Sequence, residues 1–145
     1  DEINALGGNI QNAYGISINE LKAAIPCGIG KINVDTDIRL AVTRNMKEFF
    51  KNNPSKRDSA SIGGVYQLLE EKKDQFDPRA FLPPIMDTVM YGTIQDDDTA
   101  ALVEVIEKGV KEAIGTLIVE FGSFGKAPLV EQVSLEEMIE RYKKM

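Results

Sequence analysis

Residues 30–41 read GKINVDTDIRLA, and the reading of this stretch decides what the rest of the chain is built around. Ile32 and Val34 are β-formers, preceded by Gly28 and Gly30, so residues 28–34 are expected to form a strand. Alternation places Asn33 and Asp35 on one face and Ile32 and Val34 on the other. After a turn at 35–37, Ile38, Val42, Met46 and Phe49 recur at helical spacing, until the sequence KNNP stops that helix at Pro54. A strand leading into a helix is one unit of an α/β architecture. In such folds, side chains that carry chemistry project from the C-terminal ends of strands, where Asn33, Asp35 and Thr36 stand.

Two arginines raise an electrostatic question. Arg39 lies in the first turn of the helix, where the dipole disfavours a cation, and Arg79 lies in the first turn after Asp77-Pro78. Unsatisfied amides at a helix start favour an anion, and an anionic partner near Thr36 would explain Arg39. The blander reading stands beside this one. A Thr-Asp pair before a helix is most often a cap, and an isolated Arg79 is by default a solvated surface residue. Asn33 is harder to dismiss, because a half-buried amide needs hydrogen-bond partners.

On the N-terminal side, Ser17 and Glu20 fit a capping box for a short helix carrying Leu21, Ala24 and Ile25, ended by Pro26 and Gly28. On the C-terminal side, Ile62, Val65, Tyr66 and Leu69 predict a helix within 59–73. In FDPR, Asp77 is a cap and Pro78 takes the first helical position; Pro83-Pro84 forces a restart. The acidic run Asp96-Asp97-Asp98 suits the start of the longest helix, with Leu102, Val105, Ile106, Gly109, Ala113 and Leu117 as its stripe. GSFGKAP is a loop, and Ser134 with Glu137 predicts a second capping box for a terminal helix. The strand has one weak candidate partner, VEQVS at 130–134. A lone strand leaves backbone groups unpaired, so the chain reads as part of something larger.

The bulk numbers narrow the classes. With 145 residues, 43% hydrophobic and 28% charged, the chain is long enough for one domain with a real core. A net charge of −6 disfavours nucleic acid, whose phosphates demand clustered cations; Lys72-Lys73 and Lys143-Lys144 sit beside glutamates. No apolar run reaches the ~20 residues of a membrane span, and DEINALGG has no signal-peptide pattern. The single cysteine, Cys27, excludes an intrachain disulfide; it points to the cytoplasm and is expected to be a small buried residue without a catalytic role. With no histidine, the usual nitrogen and sulfur ligands cannot complete a zinc site, and Asp96-Asp97-Asp98 is expected to be a solvated helix start.

The block YGISINELKAAIPCGIGKINVDTDIRLAVTRNMKEFF, followed by FDPRAFLPP, FGSFGKA and SLEEMIERYKKM, resembles the C-terminal part of class II, zinc-dependent fructose-1,6-bisphosphate aldolases. The resemblance implies an α/β fold, the C-terminal part of a (β/α)8 TIM barrel, with GKINV as the last strand and additional C-terminal helices. Residues 1–145 would be the C-terminal segment of one barrel domain, 1–53 its last barrel units and 54–145 a helical extension. Relative to common members, segments near 57–75 and 94–112 look like added helical surface elements. The implied reaction is reversible aldol cleavage of fructose 1,6-bisphosphate to dihydroxyacetone phosphate and glyceraldehyde 3-phosphate.

By match to the family motif, Asn33 is similar to the asparagine that contacts the ketose, Asp35 to the aspartate that binds substrate hydroxyls, and Thr36 to a phosphate ligand. Arg39 and Arg79 are similar to two arginines that grip the distal phosphate, Arg79 reaching a neighbouring subunit of a homo-oligomer. No catalytic residue and no metal ligand is expected within the segment. The zinc ligands and the catalytic aspartate of the family lie upstream, so the isolated chain is expected to be inactive. Two alternatives remain: a tagatose-1,6-bisphosphate aldolase, disfavoured by Asp35-Thr36-Asp37 where that branch carries alanine and Thr-Glu, and a non-catalytic interaction fragment.

Overall fold

The computed structural model describes residues 2–130 and 132–144, and among them it is all-helical. In chain order the helices are α1 (Glu2–Ala5), α2 (Ile18–Ala24), α3 (Thr36–Asn52), α4 (Gly63–Glu71), α5 (Met86–Tyr91), α6 (Asp97–Glu120) and α7 (Leu135–Lys143), with short 3-10 turns between several of them. The principal packing is α3 against α6. No described helix is long and apolar enough to cross a membrane.

The expected last strand, and with it the α/β class and the barrel portion, is not there. Residues 29–35 form neither strand nor helix: a strand needs a second strand to take its backbone groups, and none is formed among the described residues. In the candidate partner at 130–134, Glu131 lies outside the described residues, and the described positions around it form no strand. The alternation nevertheless survives: Ile32 and Val34 are half-buried while Asn33 and Asp35 are exposed. The period-2 pattern was read correctly; the sheet it implied was not.

The core forms where the helical stripes meet. Val42, Met46 and Phe50 recur every four residues on α3 and are buried, together with Ile62, Val65 and Leu69 of the α4 region, Phe81, Leu82, Ile85 and, from α6, Leu102. Segments 57–75 and 94–112, expected as surface additions, therefore supply four of these buried side chains. Phe49, expected on the stripe, packs at the edge of this cluster and meets Phe50 edge-on at 5.2 Å.

Capping follows the sequence closely. Ser17 and Glu20 form both halves of the capping box on α2. The chain leaves that segment through a 3-10 turn closed by Gly28 at φ 98°, a left-handed conformation that favours glycine. Asp96 accepts from the Thr99 amide at 2.8 Å and from the Ser61 hydroxyl at 3.1 Å, while Asp98 pairs with Lys56. The acidic run is thus a helix start tied to the loop before α4. Ser134 accepts from the Glu137 amide at 3.1 Å, and the Glu137 carboxylate pairs with Arg141 at 2.8 Å. Cys27 is exposed rather than buried, because nothing packs over the turn that carries it.

One contact fixes the distance between the two main helices. A methyl group at Gly109 of α6 would stand 2.8 Å from Val42 Cα and 3.0 Å from Val42 N on α3, so backbone would have to move. Gly109→Ala is expected to cost about 1–3 kcal/mol, as overpacking does. Gly115→Ala, on the same helix but with nothing within 4 Å, is expected to gain about 0.5–1 kcal/mol from helix propensity and reduced freedom of the unfolded chain. Urea unfolding of the two variants measures this opposite sign.

Candidate functional site

Asp35 occupies the residue before α3, but its side chain makes no capping bond. It reaches one turn forward instead: Arg39 donates through Nε to Asp35 Oδ1 at 2.7 Å, and its Nη2 lies 2.5 Å from Asp35 Oδ2. The other arm of the guanidinium, Nη1, donates to Asp77 Oδ2 at 2.7 Å. Asp77 caps the 3-10 turn Pro78–Ala80 by accepting from the Arg79 amide at 3.0 Å. Its carboxylate also takes Nε of Arg79 at 3.0 Å and Nη2 at 2.5 Å. The result is a ladder of alternating charge, Asp35–Arg39–Asp77–Arg79, joining α3 to a turn 38 residues along the chain.

The local sequence explains each rung. Arginine four residues after aspartate on a helix stands directly above it. Proline at the first position of the 3-10 turn presets the backbone, so the Asp77 carboxylate faces the Arg79 amide and guanidinium together. Beside the ladder, the Thr43 hydroxyl on α3 donates to the Phe76 carbonyl at 2.8 Å, which holds the Phe76-Asp77 backbone against the helix.

The electrostatics follow from these bonds. Arg79 holds the Asp77 carboxyl below the usual carboxylate range, opposed in part by burial and aided by the Arg79 amide and the Arg39 charge. Arg79 is raised by Asp77 first and by Asp35 to a lesser degree, which places Asp35 within electrostatic reach of Arg79 as well. Two carboxylates offset two guanidinia, so the group has no large net field. What it presents is fixed direction: the Arg79 side chain is 72% exposed while the Asp77 side chain is 24% exposed, and the Nη1 edge of Arg79 faces away from its carboxylate.

Of the residues singled out in the sequence, Asp35, Arg39 and Arg79 are brought together. Thr36 begins α3 beside Asp35, with the uncapped first amides of a 17-residue helix. Asn33 is exposed on the approach, on the same face of the extended segment as Asp35, and is not the half-buried amide expected of a strand. Asp77 was expected only as a cap; its role as the joint between the arginines could have been suspected from the spacing of aspartate and arginine around a proline in FDPR.

A larger cleft of about 570 Å³, lined among others by Tyr14, Ile18, Leu40, Arg44 and Leu117, lies elsewhere. At 3.6 residues per turn Leu40 and Arg44 stand about 100° and 140° round α3 from Arg39. Arg44 there is already paired with Glu112 and, at 3.5 Å, with Glu2. Among the described residues no three potential ligands cluster in a way that could hold a metal ion. With histidine absent from the chain, the residues present do not fit a zinc site.

Comparison with known proteins identifies the family. The family model described as Fructose-bisphosphate aldolase class-II matches residues 11–126. A fructose-bisphosphate aldolase of Nostoc sp. is 30% identical over 142 residues, covering 98% of this chain and 28% of that protein. One from Stutzerimonas stutzeri is 31% identical over 140 residues, covering 97% and 28%. Fructose-bisphosphate aldolase 2 of Rhodobacter capsulatus is 27% identical over 142 residues, covering 98% and 90%. The chain thus spans a little over a quarter of the length of the first two relatives. No solved structure matches it.

The depressed Asp77 carboxyl makes a stability prediction with a definite sign. A carboxyl whose folded-state pKa lies below its unfolded value stabilises the fold above the unfolded value, near 4, and loses that contribution as pH falls through the folded one. Asp77→Asn is expected to lower the urea midpoint at pH 7, and the gap from the parent chain is expected to narrow as pH falls below the ordinary carboxylate range. A gap that is constant with pH would mean that the Asp77 charge contributes nothing.

Proposed function

Because the chain belongs to the class-II fructose-bisphosphate aldolase family, we propose that it supplies the phosphate and sugar contacts for reversible aldol cleavage of fructose 1,6-bisphosphate to dihydroxyacetone phosphate and glyceraldehyde 3-phosphate. The observation that carries this reading is the convergence of Arg39 and Arg79 on one carboxylate oxygen, Asp77 Oδ2. Two guanidinia separated by 40 residues of sequence are held at a single point, and planar forks of this kind match the oxygens of a phosphate.

In this reading each residue has a distinct task. Arg79 offers its open Nη1 edge, and Arg39 stands behind it, to the distal phosphate. Thr36 and the free amides that open α3 take a phosphate oxygen, where backbone N–H groups and the helix dipole favour negative charge. Asp35 accepts a hydrogen bond from a substrate hydroxyl, and Asn33, exposed on the same face, meets the ketose. Since the ladder is nearly neutral, binding relies on short charge-assisted bonds rather than on long-range attraction. The family chemistry uses zinc; the described residues do not provide for it, and the part of the reaction argued for this chain is binding and orientation.

Asp35-Thr36-Asp37 supports the fructose bisphosphate over its tagatose isomer, because Asp35 is the residue placed to read a hydroxyl. In the active protein that carries this chain, Arg79→Ala is expected to raise the KM for fructose 1,6-bisphosphate roughly 10–100-fold, the loss of one charged hydrogen-bonding group. The chain should stay folded, with a fall in melting temperature no larger than that of Asp77→Asn, because Arg39 still pairs with Asp77. An unchanged KM would remove Arg79 from the site.

A further inference from the structure

On the side of α3 that faces α4, the fold gathers positive charge into a second pocket. It has a volume of about 240 Å³ and is lined by Lys47, Lys51, Arg57, Tyr66 and Glu70, together with residues 5–7. Arg39 and Lys47 are eight residues apart, about 12 Å along the helix axis, so this pocket is separate from the ladder at Asp77. In a chain of net charge −6, three cations against one carboxylate is a local reversal of sign.

The three cations are placed but not satisfied. Lys47 is 5% exposed, and its ammonium donates to the Leu69 carbonyl at 3.1 Å, a bond that also serves the open carbonyl end of α4. An ammonium has three donors, and this contact uses one. Lys51 stands one turn along α3 from Lys47, an arrangement of like charges that destabilises a helix. Arg57 is anchored through Nε to the Phe50 carbonyl at 2.9 Å and lies over the Tyr66 ring at 5.3 Å, which fixes its plane and leaves its terminal nitrogens for another partner. Glu70 also serves Lys73, at 3.4 Å. Burial draws the Lys47 ammonium below the usual lysine range, and Glu70 only partly restores it.

We infer that the pocket of Lys47, Lys51, Arg57 and Tyr66 is a second anion site, with the charge and volume for a small phosphate monoester. A doubly charged phosphate balances the excess of two cations over Glu70 and accepts from three directions, which a flat carboxylate does less completely. The volume leaves room for a short organic part beyond the phosphate. Tyr66, whose ring packs on Phe50, also lines the pocket. The site depends on α4, which supplies Tyr66 and Glu70. It does not rest on the reading of Arg39 and Arg79.

Glycerol 3-phosphate titrated into the full chain at constant ionic strength tests this, followed by amide NMR shifts. Saturable shifts are expected at residues 5–7, 47–51, 57 and 66–70, and they should persist in Arg79→Ala. Lys51→Glu, at an exposed position that the fold does not need, is expected to weaken this binding at least tenfold with an unchanged melting temperature. Shifts confined to residues 33–39 and 77–79 would overturn the second site while leaving the first intact. Shifts in the pocket that survive Lys51→Glu at full strength would overturn it as well, because they would report general screening.

Discussion

At Gly109 the backbone of α6 comes so near to Val42 of α3 that a single methyl group would collide with Val42 Cα. Thr36, Arg39, Lys47 and Lys51 all stand on the helix that this contact positions. With the α3 axis set, Val42, Met46 and Phe50 point at α4 and at the turns carrying Phe81 and Ile85. The same orientation brings Arg39, one turn before Thr43, against Asp77. Close approach of two helices gives the shared core a dense packing that tolerates little volume change, and the polar groups along α3 inherit their precision from it.

Each face of α3 carries a different electrostatic arrangement. At its N-terminal end, carboxylate and guanidinium alternate through Asp35, Arg39, Asp77 and Arg79, which gives direction without net charge. Further round the helix, Arg44 links Glu2 of α1 and Glu112 of α6, with the Asn45 amide donating to Glu112 at 3.3 Å; these bonds join three helices and leave that arginine committed to the fold. Toward α4, Lys47 and Lys51 are left in excess.

The sequence showed the helices and their caps well, because Ser17-Glu20, Asp96, Ser134 and the stripe of α3 are local signals, satisfied within a turn or two. It misread residues 28–34 because extended backbone with alternating burial looks the same whether or not a second strand lies beside it. Pairing is a long-range property, and no residue in GKINV encodes a partner. The segments near 57–75 and 94–112 were taken for surface additions, because nothing local shows what a helical stripe packs against, yet Ile62, Val65, Leu69 and Leu102 are buried side chains that close the core. Of the site, the residue types were legible and the joint between them was not. Asp77 is a cap in sequence terms, and its second task arises only because Arg39 approaches from 38 residues away. Lys47 gave no signal, since a lysine on a helix is ordinarily solvated and its burial depends on α1 and α4 closing over it.

The claim that Arg39 and Arg79 form one anion site, held in register by Asp77, is tested most directly by a double-mutant cycle. Arg39→Lys and Arg79→Lys keep both charges while removing the planar forks, and the binding of fructose 1,6-bisphosphate is measured for the parent, the two single variants and the double variant by calorimetry. Shared grip on one phosphate predicts a coupling energy of about 1 kcal/mol or more. Losses that add within about 0.5 kcal/mol would show two independent arginines and contradict the account.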